Sequence, residues 1–176
     1  MHPDACFLPR NMTVALMERQ QFRGLVWEPA CGDGAISEVL NHYQHPVISS
    51  DIYDYGFPGT VKFNFLTQRP PWLFNNIITN PPFRGYSIGP WIERACAYNP
   101  ERIALVYPVN VLSDLPRWKT GRMGLRRVIQ LPSFLWRSAT RHYFGQRWGI
   151  CWYVWEYGFT GHPIIQFALP EVIDAS

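Results

Sequence analysis

A glycine-rich turn between an apolar run and a helical segment places the strongest constraint on the fold of this 176-residue chain. Residues 25–27 are apolar and enter the turn at residues 28–34, Glu-Pro-Ala-Cys-Gly-Asp-Gly, after which Ile36, Val39 and Leu40 recur at helical spacing. Glycine lets the backbone turn tightly and approach a ligand closely, and a helix start offers free N–H groups. The pattern predicts strand, turn and helix, with either a ligand or a purely structural turn at the glycines.

The same alternation of apolar runs and helical stripes continues along the chain. Further strands are predicted at residues 47–52, 61–65, 76–79, 102–107, 127–131 and 149–155, and a first helix at residues 11–19. Alternating strands and helices favour an α/β fold, a mostly parallel sheet with helices on both faces. The last two runs are too close for a long helical crossover, so we predict a seven-stranded sheet with an antiparallel edge strand, in one domain over residues 1–176.

An acidic residue follows at the end of the second predicted strand. Asp51 lies nineteen residues after Gly32, where a carboxylate accepts hydrogen bonds from the ribose hydroxyls of an adenosine. Ser37 stands where the dinucleotide fingerprint has its third glycine, which counts against a dinucleotide-dependent oxidoreductase. The two motifs together predict an adenosine-containing cofactor, although Asp51 at a strand end is also typical of a turn cap.

The most specific motif is Asn80-Pro81-Pro82-Phe83, directly after the fourth predicted strand. A proline pair cannot extend a strand ladder and holds the backbone rigidly. Parallel sheets bind their ligands at this end of their strands. The motif therefore predicts a functional loop.

On these residues the chain resembles the N6-adenine DNA methyltransferases, and most closely their compact phage and prophage forms. The matching segments are residues 27–34, 50–52, 64–66 and 78–83, with weaker support from residues 152–158. The resemblance implies a Rossmann-like class I methyltransferase fold and S-adenosylmethionine as cofactor. It also implies transfer of a methyl group to the N6 amine of adenine in DNA, in a bacterial or phage-infected cell.

The resemblance further implies the residues that hold the cofactor. The glycine turn would cradle its methionine part, Asp51 its ribose, and Asn64, where the family usually has Asp, its adenine. Pro9 belongs to the segment that would close over it. The full implied set is Pro9, Glu28, Pro29, Ala30, Cys31, Gly32, Gly34, Asp51, Ile52, Asn64 and Phe65.

The implied catalytic residues are Asn80, Pro81, Pro82 and Phe83. The Asn80 side-chain oxygen and the Pro81 carbonyl would accept the two N–H bonds of the target amine, while Phe83 stacks on the flipped base. No metal is expected, because the sulfonium of the cofactor already makes its methyl group transferable.

Positive charge is concentrated in the last third of the chain. Eight of the sixteen Lys and Arg lie between Arg117 and Arg147, a stretch without Asp or Glu, although the net charge is only +3. We predict that the loop-rich segment 111–146 replaces a target-recognition domain and gives relaxed sequence specificity, although a solvated surface would have the same composition. The candidate phosphate contacts are Arg117, Lys119, Arg122, Arg126, Arg127, Arg137 and Arg141.

Other classes of protein are disfavoured by composition. The four cysteines are scattered, which favours neither zinc nor disulfides. A signal peptide and a membrane-spanning run are missing from the sequence, so we expect a soluble, cytoplasmic protein. Three alternatives stay open: methylation of an RNA base, methylation of a protein glutamine, and a non-catalytic nucleic-acid-binding module.

Overall fold

The computed structural model describes residues 6–83, 88–114, 120–132, 137–138 and 149–168. Its strands are β1 (Cys6–Phe7), β2 (Val26–Glu28), β3 (Val47–Asp51), β4 (Val61–Lys62), β5 (Asn76–Thr79), β6 (Arg102–Pro108), β7 (Met123–Leu131), β8 (Arg137–Ser138), β9 (Ile150–Tyr157) and β10 (Ile164–Phe167). Its helices are α1 (Arg10–Met17), α2 (Ala35–His42), α3 (Gly89–Ala97) and a 3₁₀ turn (Val109–Ser113).

Eight strands form one sheet in the order β10-β7-β9-β6-β5-β2-β3-β4, and β1 pairs with β8 apart from it. Strands β4, β3, β2, β5 and β6 are parallel. The chain leaves β2 through α2 towards one edge and returns to β5 on the other side of β2, so the strand order reverses between β2 and β5. The Rossmann-like, mostly parallel sheet predicted from the sequence is confirmed, and such a reversal is where this architecture binds ligands.

The far side of the sheet differs in detail from the prediction. Strands β7 and β9 do pair antiparallel, but β9 inserts between β7 and β6 and is antiparallel to both. The antiparallel strand is therefore internal. An eighth strand, β10, pairs parallel with β7 and forms the edge. Its four residues are mostly exposed, so they show no burial-driven alternation from which a strand could be predicted.

Helices cover both faces of the sheet, as predicted. Buried residues of α1 and α2 pack on one face with Trp152 and Val154, while α3 packs on the other with Tyr153 and Trp155. Successive side chains of β9 thus point to opposite faces of the sheet, as they do in a regular β-strand. The indole N–H of Trp152 donates to the Met12 carbonyl over 2.8 Å and ties α1 to the sheet.

Candidate active site

A cavity of about 310 Å³ lies at the carboxyl ends of β2, β3 and β5. This volume is at the lower end of the range typical of small-molecule sites. Most of the predicted cofactor and catalytic residues line it: Glu28, Pro29, Ala30, Cys31, Gly32, Asp51, Ile52, Asn64, Phe65, Asn80, Pro81 and Pro82.

The glycine turn forms one wall of the cavity because its backbone enters the left-handed region twice. Gly32 has φ 55° and Gly34, the residue before α2, has φ 83°. A Cβ on Gly34 would lie 2.1 Å from Cδ2 of Phe57. Gly34 itself does not line the cavity. Its role is to turn the chain into α2, which only a residue without a side chain does here at low cost.

Asp51 is buried beneath the glycine turn, with 6% of its surface exposed. Its Oδ2 accepts the Gly32 N–H and its Oδ1 the Tyr53 N–H, each over 3.0 Å. Burial raises the pKa of the Asp51 carboxyl, and these backbone hydrogen bonds partly oppose the rise. Each carboxylate oxygen accepts more than one hydrogen bond. Asp51 therefore braces the turn and keeps acceptor capacity towards the cavity.

A buried polar network lies under the same turn. Glu28 is 1% exposed, and the Ser37 hydroxyl donates to its Oε2. The Ser37 and Ser49 hydroxyl oxygens are 2.6 Å apart. Burial raises the pKa of Glu28 well above its usual range, while the hydrogen bond from Ser37 opposes the rise. The serine in place of a third glycine thus serves as the partner of Glu28, a role that its position in the sequence did not indicate.

The opposite end of the cavity is aromatic. The Phe65 ring stacks on Trp91 of α3, with 4.6 Å between centroids and 18° between planes. Asn64 Oδ1 accepts the Leu66 N–H over 3.0 Å, which leaves its amide N–H groups as potential donors. This end of the cavity therefore combines flat aromatic rings with the side-chain amide N–H groups of Asn64 as potential hydrogen-bond donors.

Several lining residues were not among the predicted site residues. They are Phe7, Leu8, Asp33, Ala35, Ile36, Tyr53, Tyr55, Phe63, Leu66 and Trp91. Phe7 and Tyr55 meet edge-on at 5.6 Å, and Pro9, the neighbour of Leu8, instead precedes α1 outside the lining. The closely spaced Tyr53 and Tyr55 after the acidic residue were one local signal for this wall, and the segment of Pro9, expected to close over the cofactor, was another.

The Asn80 segment leaves β5 directly at the cavity. Asn80, Pro81 and Pro82 line it, with Pro81 buried and Pro82 exposed. Phe83 lies outside the lining and is half-buried. Its ring meets Tyr107 edge-on, with 4.9 Å between centroids and 88° between planes. The structure thus brings the predicted catalytic asparagine and most of the predicted cofactor residues to one cavity.

The predicted phosphate contacts are not gathered there. Register pairing places Arg122 just before the start of β7, at the end of the sheet opposite to Asn80, and Arg126 and Arg127 in the middle of β7, three strands away from β5. The Arg137 backbone pairs with Phe7 beside the cavity wall. The remaining candidates lie outside the described residues: Arg117, Lys119 and Arg141.

Two further properties concern the described ranges alone. Within them, no three His, Cys, Asp or Glu side chains come together as a metal site. None of the helices in these ranges has the length and apolar character needed to cross a membrane.

No protein-family model and no curated protein matches the chain. Solved structures do resemble it. A candidate RNA methyltransferase from Pyrococcus horikoshii has a TM-score of 0.64 at 10% identity, over 85% of this chain and 82% of that one. A TehB-like S-adenosylmethionine-dependent methyltransferase from Corynebacterium glutamicum has a TM-score of 0.55 at 16% identity, over 86% of this chain and 89% of that one. A methyltransferase subunit of a type I restriction-modification system from Streptococcus thermophilus gives 0.56 at 13% identity, over 88% of this chain but 45% of that one. The predicted class I methyltransferase fold is confirmed.

Proposed function

We propose that the chain transfers a methyl group from S-adenosylmethionine to the N6 amine of adenine in DNA. The observation that carries the proposal is the single cavity shared by the glycine turn, Asp51 and Asn80-Pro81-Pro82. A cofactor seated against the first two would present its methyl group to a nitrogen held by the third.

The residues present fit the cofactor. Asp51 has acceptor capacity for ribose hydroxyls, and the backbone at Gly32 approaches the cavity without a side chain. Asn64 and the stacked pair Phe65 and Trp91 suit an adenine ring, which needs a polar edge contact and flat neighbours. The cofactor supplies an electrophilic methyl group on a sulfonium, so neither metal nor covalent catalysis by the chain is required.

The chemistry of the target amine explains why an asparagine followed by proline suits the reaction. The lone pair of an exocyclic amine is delocalised into the ring. The Asn80 Oδ1 and the Pro81 carbonyl oxygen would each accept one N–H of the amine, and this favours a more pyramidal nitrogen with its lone pair directed at the methyl group. Orientation of this kind contributes on the order of 7–11 kcal/mol to lowering a barrier.

Phe83 is proposed as the platform for the flipped base, supported from behind by Tyr107. Extrusion of a base from a duplex costs a few kcal/mol, and stacking on an aromatic ring returns roughly 1–3 kcal/mol. The edge-on contact with Tyr107 would hold the Phe83 ring in one orientation beside the exposed Pro82. The ring does not fill the cavity, because Phe83 lies outside its lining.

DNA is proposed as the substrate because the motif residues resemble the adenine DNA methyltransferases, and because the basic segment favours nucleic acid over protein. Arg137, beside the cavity wall, and the residues Arg117, Lys119 and Arg141 are the proposed contacts to the backbone of the substrate strand. We also propose relaxed sequence specificity, because contacts to backbone phosphates carry no sequence information.

The test is transfer of labelled methyl to matched DNA, RNA and protein substrates, followed by nucleoside analysis. Asn80→Ala should abolish N6-methyladenine formation and leave S-adenosylhomocysteine binding within about twofold, because the glycine turn and Asp51 are untouched. Asn41→Ala is the matched control, since Asn41 is exposed on α2 and outside the cavity.

The possible outcomes distinguish the substrate, the mechanism and the cofactor binding that make up the proposal. N6-methyladenine in DNA, lost in Asn80→Ala alone, supports all of it. Label in RNA or protein overturns the named substrate while retaining the cofactor. Near-normal turnover by Asn80→Ala overturns the mechanism, and failure to bind S-adenosylhomocysteine favours a non-catalytic module.

A further inference from the structure

A second, polar cavity of about 610 Å³ lies at the other end of the strands. It is lined by the loop after α1, the start of β6, the first half of β7 and the end of β9. Five arginines and three glutamates face it, and the arginines are Arg19, Arg23, Arg102, Arg126 and Arg127. We refer to this cavity as the arginine groove.

A β-bulge turns two consecutive arginines into the groove. In a regular strand, neighbouring side chains point to opposite faces, yet Arg126 and Arg127 both line the groove. The register of β7 against β9 shifts between Leu125 and Arg127, which leaves Arg126 as the extra residue. Bulges re-aim side chains in this way, often beside functional sites.

The carboxylates of the groove are already engaged, and they do not neutralise every arginine. The Glu156 Oε2 is shared by Arg102, at 3.3 Å, and Arg126, at 3.8 Å. The Glu18 carboxylate pairs with Arg19 at 3.2 Å. The Glu101 Oε1 accepts a hydrogen bond from Asn75. Arg23 and Arg127 consequently form no direct ion pair with a carboxylate among the described residues.

Arg127 is the arginine whose surroundings most clearly require an anion. One of its terminal nitrogens donates to the neutral Gln166 side chain, and its buried Nε has no acceptor within the described structure. Burial lowers the pKa of Arg127, and the charge on Arg126 lowers it further, while the charge on Glu156 partly opposes the shift. A buried donor without an acceptor is costly, and a ligand with oxygens arranged for a guanidinium fork would remove that cost.

We propose that the arginine groove is an anion site for phosphate groups, separate from the methyl-transfer cavity. Guanidinium groups from separate segments suit the several oxygens of a phosphate better than a single carboxylate. The source of the phosphate is a nucleic-acid backbone, and only this part of the inference rests on the proposed function. The groove would bind the nucleic-acid backbone at a distance from the nucleotide that is methylated.

The test compares Arg23→Gln, Arg127→Gln and the matched control Arg69→Gln, which removes the same charge from an exposed position outside the groove. Binding of a fluorescent single-stranded oligonucleotide is measured by anisotropy between about 50 and 200 mM salt. The logarithm of the affinity falls with the logarithm of the salt concentration, with a slope of about 0.7 for each phosphate contact on single strands. Over this roughly fourfold range of salt, each lost contact should therefore make the loss of affinity about 2.6-fold smaller. Titration with inorganic pyrophosphate forms a second arm.

Arg23→Gln tests binding with little effect on folding, because the Arg23 side chain forms no hydrogen bond or ion pair among the described residues, whereas Arg127 also donates to Gln166 of β10. A reduced slope in both groove variants, with Arg69→Gln unchanged, supports the nucleic-acid backbone. Weaker pyrophosphate binding alone supports a free phosphate compound. No change in either arm overturns the proposal. S-adenosylhomocysteine affinity should stay constant throughout, and the pyrophosphate arm is informative even if DNA is not methylated.

Discussion

A side chain at position 34 is expected to weaken both folding and cofactor binding. A Cβ there would lie 2.1 Å from the Phe57 ring, at a backbone φ of 83°. Gly59 has nearly the same φ, 79°, with nothing within 4 Å of an added Cβ. Gly59→Ala therefore carries the backbone strain alone, while Gly34→Ala carries the strain and the clash.

The two contributions have different sizes. The left-handed conformation costs a residue with a Cβ about 1–2 kcal/mol, and the lower entropy of the unfolded chain returns about 0.4–1 kcal/mol. Gly59→Ala should thus lower the free energy of unfolding by roughly 1 kcal/mol. Displacing the half-buried Phe57 adds about 1–3 kcal/mol, which brings Gly34→Ala to about 2–4 kcal/mol. The melting temperature falls by about 2–4 °C for each kcal/mol at this chain length.

The displacement of Phe57 should also disturb the cofactor cavity. The Thr60 hydroxyl donates to the Phe57 carbonyl and lies 3.5 Å from Sγ of Cys31, which lines the cavity. We expect S-adenosylhomocysteine to bind Gly34→Ala about tenfold more weakly, a loss of about 1.4 kcal/mol, and to bind Gly59→Ala normally. Urea denaturation and calorimetric titration measure the two effects. Equal losses in both variants would refute the argument from the Phe57 contact.

Two further predictions concern buried groups. Glu28→Gln should flatten the dependence of stability on pH. Because the pKa of Glu28 in the folded chain is raised above the usual 4.5, the free energy of unfolding of the parent chain decreases as pH rises from 4.5 through the folded pKa. The decrease is up to about 1.4 kcal/mol per pH unit. Urea denaturation from pH 5 to 8 measures this, and parallel curves for parent and variant would contradict it. Trp152→Phe leaves the Met12 carbonyl without its donor and should cost about 1–3 kcal/mol from the lost hydrogen bond. The control is Trp72→Phe, a partly buried tryptophan whose indole N–H has no hydrogen-bond partner among the described residues. A loss for Trp152→Phe no larger than that of this control, by the same denaturation measurement, would count against that hydrogen bond.

Much of the candidate site could be predicted because its signals are local. Strand β5 begins and ends at the predicted residues, and Asp51 ends β3 within one residue of the prediction. Asp51 and Asn80 lie at or directly after the ends of buried strands, the glycine turn follows another, and the carboxyl ends of parallel strands meet at one edge. The convergence of the glycine turn, Asp51 and Asn80 follows from that rule once the strands are assigned.

The sequence by itself therefore determined seven of the strands, the glycine turn and the polar residues at the strand ends, since each depends on a few consecutive side chains. Only the tertiary structure decided which strands are neighbours. Insertion of β9 between β6 and β7, the pairing of β10 and the bulge before Arg127 depend on long-range hydrogen bonds. For that reason the described arginines of the basic segment lie apart, with Arg126 and Arg127 in β7 and Arg137 in β8 beside the cavity wall. Alternation indicates the face that a side chain occupies, but the strand beside it is chosen by packing across the whole chain.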